Sequence, residues 1–507
     1  MTTVAEPAAR GPEGDGPVEI PRRRVRWVLG GAVLVALALG LVQLGTDSLW
    51  VDDGFTLTHT SLPWDRFWQV VGEHEMNAVA YSTLMFGWVR LGDGEWWLRL
   101  PSVLFAVGAV PVVFLLGRRL FDERVGLTAA SLLAVNAFVV EYAHEARTYA
   151  FTMLVVSTSM LLLVRYVQHP ARGRWWAWVA VTAVVPHAHF FGLLAVGAQV
   201  VALLARGRLP TPRRGLVAGY AAVAVSALPI AVFLAAGGDQ GQVDNAPALT
   251  PVRFVGAFAR LVGNGGPLLL ALAGVAIAVA LWDAVGRLRD ERGVGSERSW
   301  AFVLLVAWVA VPVLTVAALS PVKPLFGARW FLLTAPALAL LTAVGAWRLP
   351  RRAAIGLLGA IVVVSLAATA AFYPRDAHDD FRAATRYVLD RAEPGDAIVF
   401  QPWFTRVTFT NYADRRPDER DRLVPLDPAP DWGEWLLIDE PPDLTAERAD
   451  TLIDGHDRVW VLERAGTEDA PQADDAATMA RALEARGFSP VDEQSFPGLD
   501  VTLYEAG

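Results

Sequence analysis

The stretch RRRVRWVLGGAVLVALALGLVQL, residues 22–44, decides the class of this chain. Four arginines, Arg22, Arg23, Arg24 and Arg26, stand directly before an uncharged apolar run from Trp27 to Leu44. A run of about 20 such residues matches the hydrocarbon thickness of a bilayer. Basic flanks are held on the cytoplasmic side, so the run reads as a first transmembrane helix that leaves the cytoplasm. It lacks the cleavage site of a secretory signal and is expected to stay as an anchor. Residues 1–24, rich in Pro, Gly, Ala and Glu, read as a disordered cytoplasmic tail.

The same pattern repeats outward from this stretch. Apolar blocks run Leu100 to Leu116, Val125 to Tyr142, Ala146 to Val167, Trp175 to Val185, Phe190 to Leu204 and Leu216 to Ala236. They continue Pro267 to Val285, Trp300 to Leu319, Phe331 to Trp347 and Ala353 to Phe372. Arginine clusters punctuate alternate ends, at Arg118/Arg119/Arg124, Arg172/Arg174, Arg206/Arg208/Arg213/Arg214, Arg287/Arg289/Arg292/Arg298 and Arg348/Arg351/Arg352. Roughly eleven spans put all of these clusters on one side. The condition is that Val79 to Val89 lies at the outer interface as juxtamembrane helices instead of crossing. The expected organisation is a membrane domain over 25–373, with an outer loop at 46–99, and an extracytoplasmic α/β domain over 374–507. In that last part Ala397 to Phe400, Val459 to Leu462 and Val501 to Tyr504 read as strands, and Phe381 to Val388 and Met479 to Arg486 as helices.

Composition narrows the function. The 507 residues are 54% hydrophobic, with mean hydropathy +0.37. With no cysteine, disulfides, thiolate nucleophiles and Cys-ligated zinc are excluded. The net charge of −8 and the lack of a basic face argue against nucleic acid. No phosphate-binding loop, nucleophile elbow or His-Glu-x-x-His pair is present, which removes support for an ATP-driven pump or a serine or zinc hydrolase.

Ionisable groups near the outer membrane face carry the chemical information, because placing them there is costly. Asp52 and Asp53, in Leu49-Trp50-Val51-Asp52-Asp53-Gly54-Phe55-Thr56, could accept a proton or hold a divalent cation; the plainer alternative is a solvated acidic turn. Glu145, in His144-Glu145-Ala146-Arg147-Thr148-Tyr149, starts a helix, where a carboxylate is favoured in any case. The topology nonetheless places it on the same face as Asp52. His189, in His187-Ala188-His189-Phe190-Phe191, could bind metal or phosphate, or simply cap a helix. Lys323, the only lysine in the chain, and Arg329 sit in an outer loop against the charge bias. They could pair with a lipid phosphate or snorkel to headgroups.

Taken in order, these stretches resemble the bacterial GT-C glycosyltransferases of the family-39 type. Those are similar to protein O-mannosyltransferases and to the aminoarabinose transferase that modifies lipid A. Leu49 to Thr56 resembles the family's LWxDEAFT stretch, and Trp97-Leu98-Arg99-Leu100-Pro101-Ser102, continued by Gly117 to Phe121, its RLPSxLFG segment. Tyr142 to Ala150 resembles YSQEARMYA, His189-Phe190-Phe191 a THYF element, and Arg329-Trp330-Phe331 with Pro336 the late RYLxxxxPA span. Asp380 to Ala384, with Pro394-Gly395-Asp396, resembles the start of the family's outer domain. The chain departs at Asp53, where the family has Glu, and at Asn77-Ala78-Val79-Ala80-Tyr81, where it often has PPLYY.

The resemblance implies an inverting transfer of a sugar, mannose-type or a pentose, from a polyprenyl-phosphate donor to a hydroxyl at the outer face. The acceptor would be a glycan, lipid or protein. It assigns Asp52 as general base, with Asp53 supporting it or contributing to a cation site. Glu145 would position acceptor or metal, and Arg147, Arg329, Lys323 and His189 would face the donor phosphate. Two rival readings are a lipid-linked-sugar flippase, which would need charges at the bilayer midplane and discontinuous spans, and a non-catalytic membrane scaffold.

Overall fold

The computed structural model describes residues 20–206, 212–237, 248–373, 379–427, 432, 444–465 and 473–507. Most of the expected tail, residues 1–19, lies outside them. Helix α1 (Arg22–Leu41) takes in the arginine cluster as its first turn. Three short helices follow, α2 (Val51–Ser61), α3 (Trp64–Val70) and α4 (Val79–Trp88). The longest has 11 residues, about half of what a bilayer requires. Helix α5 (Glu95–Leu120) then begins the main bundle.

Every apolar block read from the sequence is helical, but not every one is a full span. Among the described residues, seven helices are long and apolar enough to cross a membrane: α1, α5, α8 (Tyr149–Gln168), Gly266–Asp290, Glu297–Leu319, Ala328–Ala346 and Arg351–Phe372. Two bent pairs raise the number to nine if each is one span. These are α6 (Glu123–Ala134) with α7 (Ala137–Ala143), bent by 55°, and α11 (Arg213–Ser226) with α12 (Leu228–Ala235), bent by 45°. The remaining two blocks become α9 (Arg172–Ala188) and α10 (Gly192–Ala205), of 17 and 14 residues. At 1.5 Å per residue α10 reaches only about 21 Å. Of the roughly eleven expected spans, seven to nine therefore pass on length and composition among the described residues, and α9 and α10 are the two shorter helices.

The bends have local causes. Asn136 stops α6 and caps α7: its Oδ1 accepts from the Val139 N–H at 3.0 Å, and its Nδ2 donates to the Leu261 carbonyl at 3.0 Å. Pro229, near the start of α12, cannot continue the α11 ladder. Elsewhere, small residues let helices meet closely, as membrane packing favours. A methyl at Gly117 would lie 2.7 Å from the Gly126 Cα, and one at Gly345 would lie 1.7 Å from the Ala276 carbonyl oxygen.

The arginine-rich helix ends come together. Arg348 and Arg287 share Asp283 at 3.0 and 3.1 Å, Arg206 pairs with Glu297, Arg119 donates to Gln168 at 3.0 Å, and Arg124 lies over the Trp347 ring. The opposite end carries α2 to α4 and a five-stranded sheet.

That sheet contains β1 (Asp396–Gln401), β2 (Leu423–Pro425), β3 (Arg458–Arg464), β4 (Phe488–Phe496) and β5 (Leu499–Ala506), in the order β2-β1-β3-β5-β4. β1 runs parallel to β2 and β3, while β5 is antiparallel to β3 and β4. Alternation along β1 sends Ile398 and Phe400 to one face, with Phe381, Val388 and Phe409. Ala397 and Val399 go to the other, with Ile453, Met479 and Leu483. The first of these cores is continuous with Leu49, Val51 and Leu57 around α2 and with Leu98 of α5. The sheet domain is thus packed onto the end of the bundle that carries the two aspartates.

Candidate active site

Asp52 and Asp53 occupy the first turn of α2, where the helix dipole favours negative charge. Being adjacent on a helix, they point about 100° apart, and their surroundings differ completely. Asp53 is fully buried. Its Oδ2 accepts from Arg99 Nε at 2.9 Å and Nη2 at 2.8 Å, and its Oδ1 accepts from the Ala146 N–H at 2.7 Å. Arg99 spends its other donors on the carbonyls of Leu44 (3.2 Å), Asp47 (3.0 Å) and Ser48 (2.7 Å). The pair therefore stitches together the end of α1, α2, α5 and the turn before α8.

Asp52 is partly exposed and faces two guanidinium groups. Its Oδ2 lies 3.8 Å from Arg147 Nε and 3.7 Å from Arg329 Nη1. Both separations exceed the 2.7–2.9 Å of a tight charge-assisted hydrogen bond. Among the described residues the buried Arg147 Nε has no hydrogen-bond partner. The three groups come from three elements: α2, the 144–148 turn, and the 3₁₀ turn Ala328–Thr334. The 144–148 turn is held by Asp53 at Ala146, by Ser102 Oγ donating to the Arg147 carbonyl (3.4 Å), and by Thr148 Oγ1 donating to the Ala188 carbonyl (2.6 Å).

That last bond brings His189 alongside. It is buried, its ring 6.1 Å from Tyr149, and its Nδ1 accepts from the Phe191 N–H at 3.2 Å, which leaves Nε2 to carry the proton. Burial, reinforced by Arg147 and Arg329, depresses its pKa to about 3, so it meets the site as a neutral donor. Phe191 stacks on Trp330 at 5.3 Å, next to Arg329. Glu145 is buried, and among the described residues its Oε2 has no hydrogen-bond partner. Burial first, then the Asp52 and Asp53 carboxylates, push its pKa well above the usual carboxylate range. Its surroundings therefore favour the protonated form. Lys323 stands half-buried in the segment leading to Arg329.

The structure thus gathers Asp52, Arg147 and Arg329 by direct pairing and sets Glu145 and His189 in their field. It also adds groups that the sequence reading passed over. Arg99 is the first of these; in the sequence its signal is a charge at the head of an apolar span. Tyr149 lies in the same field, as does Glu75, a buried carboxylate in the turn after α3 that acts on Arg147 and His59.

The residues do not fit a divalent cation. Both Asp53 oxygens are engaged, Asp52 faces guanidinium groups, and among the described residues no three His, Asp or Glu side chains converge. A hard cation requires several free oxygen donors, and no step below runs through one.

Fold and site together define a polytopic membrane protein with a carboxylate and two arginines gathered beneath a small α/β domain, the GT-C architecture. A sequence model of the Dolichyl-phosphate-mannose-protein mannosyltransferase family matches residues 79–235. No curated protein matches the chain by sequence. Among solved structures, ArnT from Cupriavidus metallidurans in the apo state superposes with TM-score 0.64 at 15% identity, covering 95% of this chain and 98% of that one. The same protein bound to undecaprenyl phosphate gives 0.62 at 15% identity, covering 94% and 98%. The oligosaccharyltransferase AglB from Archaeoglobus fulgidus, in complex with an inhibitory peptide and a dolichol-phosphate, gives 0.56 at 12% identity, covering 94% and 74%. The chain has the fold of these GT-C proteins and resembles the mannosyltransferase family and ArnT.

Proposed function

We propose that this chain is a membrane glycosyltransferase that moves a sugar from a polyprenyl-phosphate donor to an acceptor hydroxyl at the outer face, with inversion. The observation that carries the reading is the Asp52 carboxylate set between Arg147 and Arg329, at the end of the bundle opposite the arginine-rich helix ends. By the charge rule those ends face the cytoplasm. This orients residues 1–24 inside, makes 25–373 the transmembrane catalytic domain and puts 374–507 outside. Two of the similar structures, ArnT bound to undecaprenyl phosphate and AglB in complex with a dolichol-phosphate, support a lipid-linked donor.

In the proposed reaction the acceptor oxygen attacks the anomeric carbon while its proton passes to Asp52. The bond from anomeric carbon to phosphate oxygen breaks with its electron pair, and the polyprenyl phosphate leaves with one more negative charge. Arg147 and Arg329 stabilise that charge where it develops, with Lys323 as a further cation at the rim. Neutral His189 donates from Nε2 to a phosphate oxygen, and Glu145 positions the acceptor. Asp53 acts through Arg99 and Ala146 to hold the arrangement. A single displacement of this kind inverts the anomeric centre. The family model over 79–235, described as a dolichyl-phosphate-mannose-protein mannosyltransferase, supports a mannose-type donor, and a pentose is the alternative.

The flippase reading would place ionisable groups where spans break. The two breaks carry Asn136 and the apolar Ala227 instead. The test is transfer by purified protein in lipid, from polyprenyl-phosphate mannose and then polyprenyl-phosphate arabinose, with the product anomer read by NMR. Transfer with inversion is expected. Retention of configuration would overturn the single displacement, and no transfer from any lipid-linked sugar would overturn the assignment.

A further inference from the structure

The outer domain touches the backbone on both sides of Asp52. Tyr412, in the Thr405–Ala413 helix, accepts from the Leu49 N–H through its hydroxyl at 2.7 Å and donates that hydroxyl to Glu95 at 2.9 Å. Thr408, on the same helix, donates its hydroxyl to the carbonyl of Trp50, the residue that caps α2, at 3.3 Å. Asn411 donates Nδ2 to the Gly54 carbonyl at 3.0 Å and to Thr58 Oγ1 at 2.9 Å. The fit is close: a methyl at Gly54 would lie 2.2 Å from Thr408 Oγ1 and 3.1 Å from the Thr408 Cα. Arg382, at the start of the domain's first helix, donates to the carbonyls of Gly45, Thr46 and Asp47 and pairs with Glu95 at 3.1 Å.

Bonds at Leu49, Trp50 and Gly54 bracket the first turn of α2. That turn has no side-chain cap of its own; the domain instead holds the Leu49 N–H just before it and the Trp50 and Gly54 carbonyls on either side of the aspartates. The Asp53–Arg99 pair anchors α2 from the bundle side, and the Thr405–Ala413 helix presses it from the domain side. Asp52 is set between these two holds. We propose that Thr408, Asn411 and Tyr412 of the outer domain are positioning residues for Asp52, so that the domain is part of the catalytic apparatus. This inference rests on the proposed role of Asp52.

A misplacement of about 1 Å at a reacting group costs on the order of 100-fold in rate. The expected result is therefore a loss of at least about tenfold in kcat for Tyr412→Phe and for Gly54→Ala. The KM for the lipid donor, which is set by the arginines, should change less than about twofold. Thr408→Ala removes the hydroxyl that holds the Trp50 carbonyl and should lower kcat in the same direction. A merely structural contact would not lower kcat with a donor KM that stays fixed. Thermal unfolding of each variant in lipid separates misfolding from misplacement. If Tyr412→Phe fails to fold, the Gly54→Ala, Thr408→Ala and Asn411→Ala variants decide. Asp52→Asn is measured in the same assay. Full activity there would sink the general-base reading. Loss there, with Gly54→Ala and Asn411→Ala within about twofold of wild type in kcat, would overturn the positioning role alone.

Discussion

Asp53→Asn and Asp52→Asn change adjacent residues by the same atom and should behave in opposite ways. Asn at position 53 can still accept from the Ala146 N–H, but its amide would face Arg99 donor to donor. Arg99 is 2% exposed and Asp53 0%, so the substitution leaves a guanidinium buried without its counter-charge. Breaking a buried pair on one side costs about 3–5 kcal/mol. At roughly 2 °C per kcal/mol for a large domain, the apparent melting temperature should fall on the order of 6–10 °C. Asp52 is 25% exposed and its pairs are 3.7 and 3.8 Å long. Pairs of that kind contribute about 0–1 kcal/mol, so Asp52→Asn should melt within about 2 °C of wild type. The assay is thermal unfolding of purified protein in detergent or nanodiscs, followed by size-exclusion recovery. Equal melting temperatures for the two variants would refute the division of labour, as would the larger loss falling on Asp52→Asn.

Further outcomes follow from the same geometry. Arg147→Ala and Arg329→Ala should each lower kcat by about 10²–10³-fold, as removal of a preorganised charge donor does, measured by single-turnover transfer. Glu145 binds a proton in the folded protein that it loses in the unfolded chain above pH about 4.3. Stability therefore falls as pH rises from there toward its raised folded value, and Glu145→Gln should flatten that decline in a melting-temperature series against pH. His189 has the opposite sign: neutral when folded, it favours unfolding as pH drops from about 6.5 toward its folded value of about 3, and His189→Gln should flatten the acid limb. Gly345→Val places a branched side chain against the Ala276 backbone, which cannot yield as a flexible side chain would. A loss of about 3 kcal/mol or more, seen as lost folded protein by size exclusion, is expected.

Hydropathy made the helices legible, because a span must be apolar along its whole length whatever it packs against. It could not show that α9 and α10 stop at 17 and 14 residues, since composition alone is silent on where a helix stops. The strands around Ile398, Trp460 and Val501 were legible for a related reason: all three are buried in the sheet. β4 was not, because it is an edge strand, mostly exposed, with an irregularity between Pro490 and Asp492. The segment Thr405–Ala413 reads as β-prone, with Thr, Val, Phe and Tyr, yet folds as a helix buried on nearly all sides, where packing outweighs propensity. Within the site, the residue types and their shared face were visible. What separates Asp52 from Asp53 was not, because it depends on which carboxylate meets Arg99 across 46 residues of chain. The bracing of α2 by Tyr412 spans 363 residues and leaves no local pattern.

Asp52 is the group on which the proposed transfer depends. Transfer of labelled sugar from polyprenyl-phosphate mannose, then polyprenyl-phosphate arabinose, is followed with wild type and Asp52→Asn in the same lipid, both verified as folded. Transfer by wild type is expected, with a loss of at least about 10²-fold in the variant, the scale of general-base catalysis. Equal rates in the two proteins would contradict it.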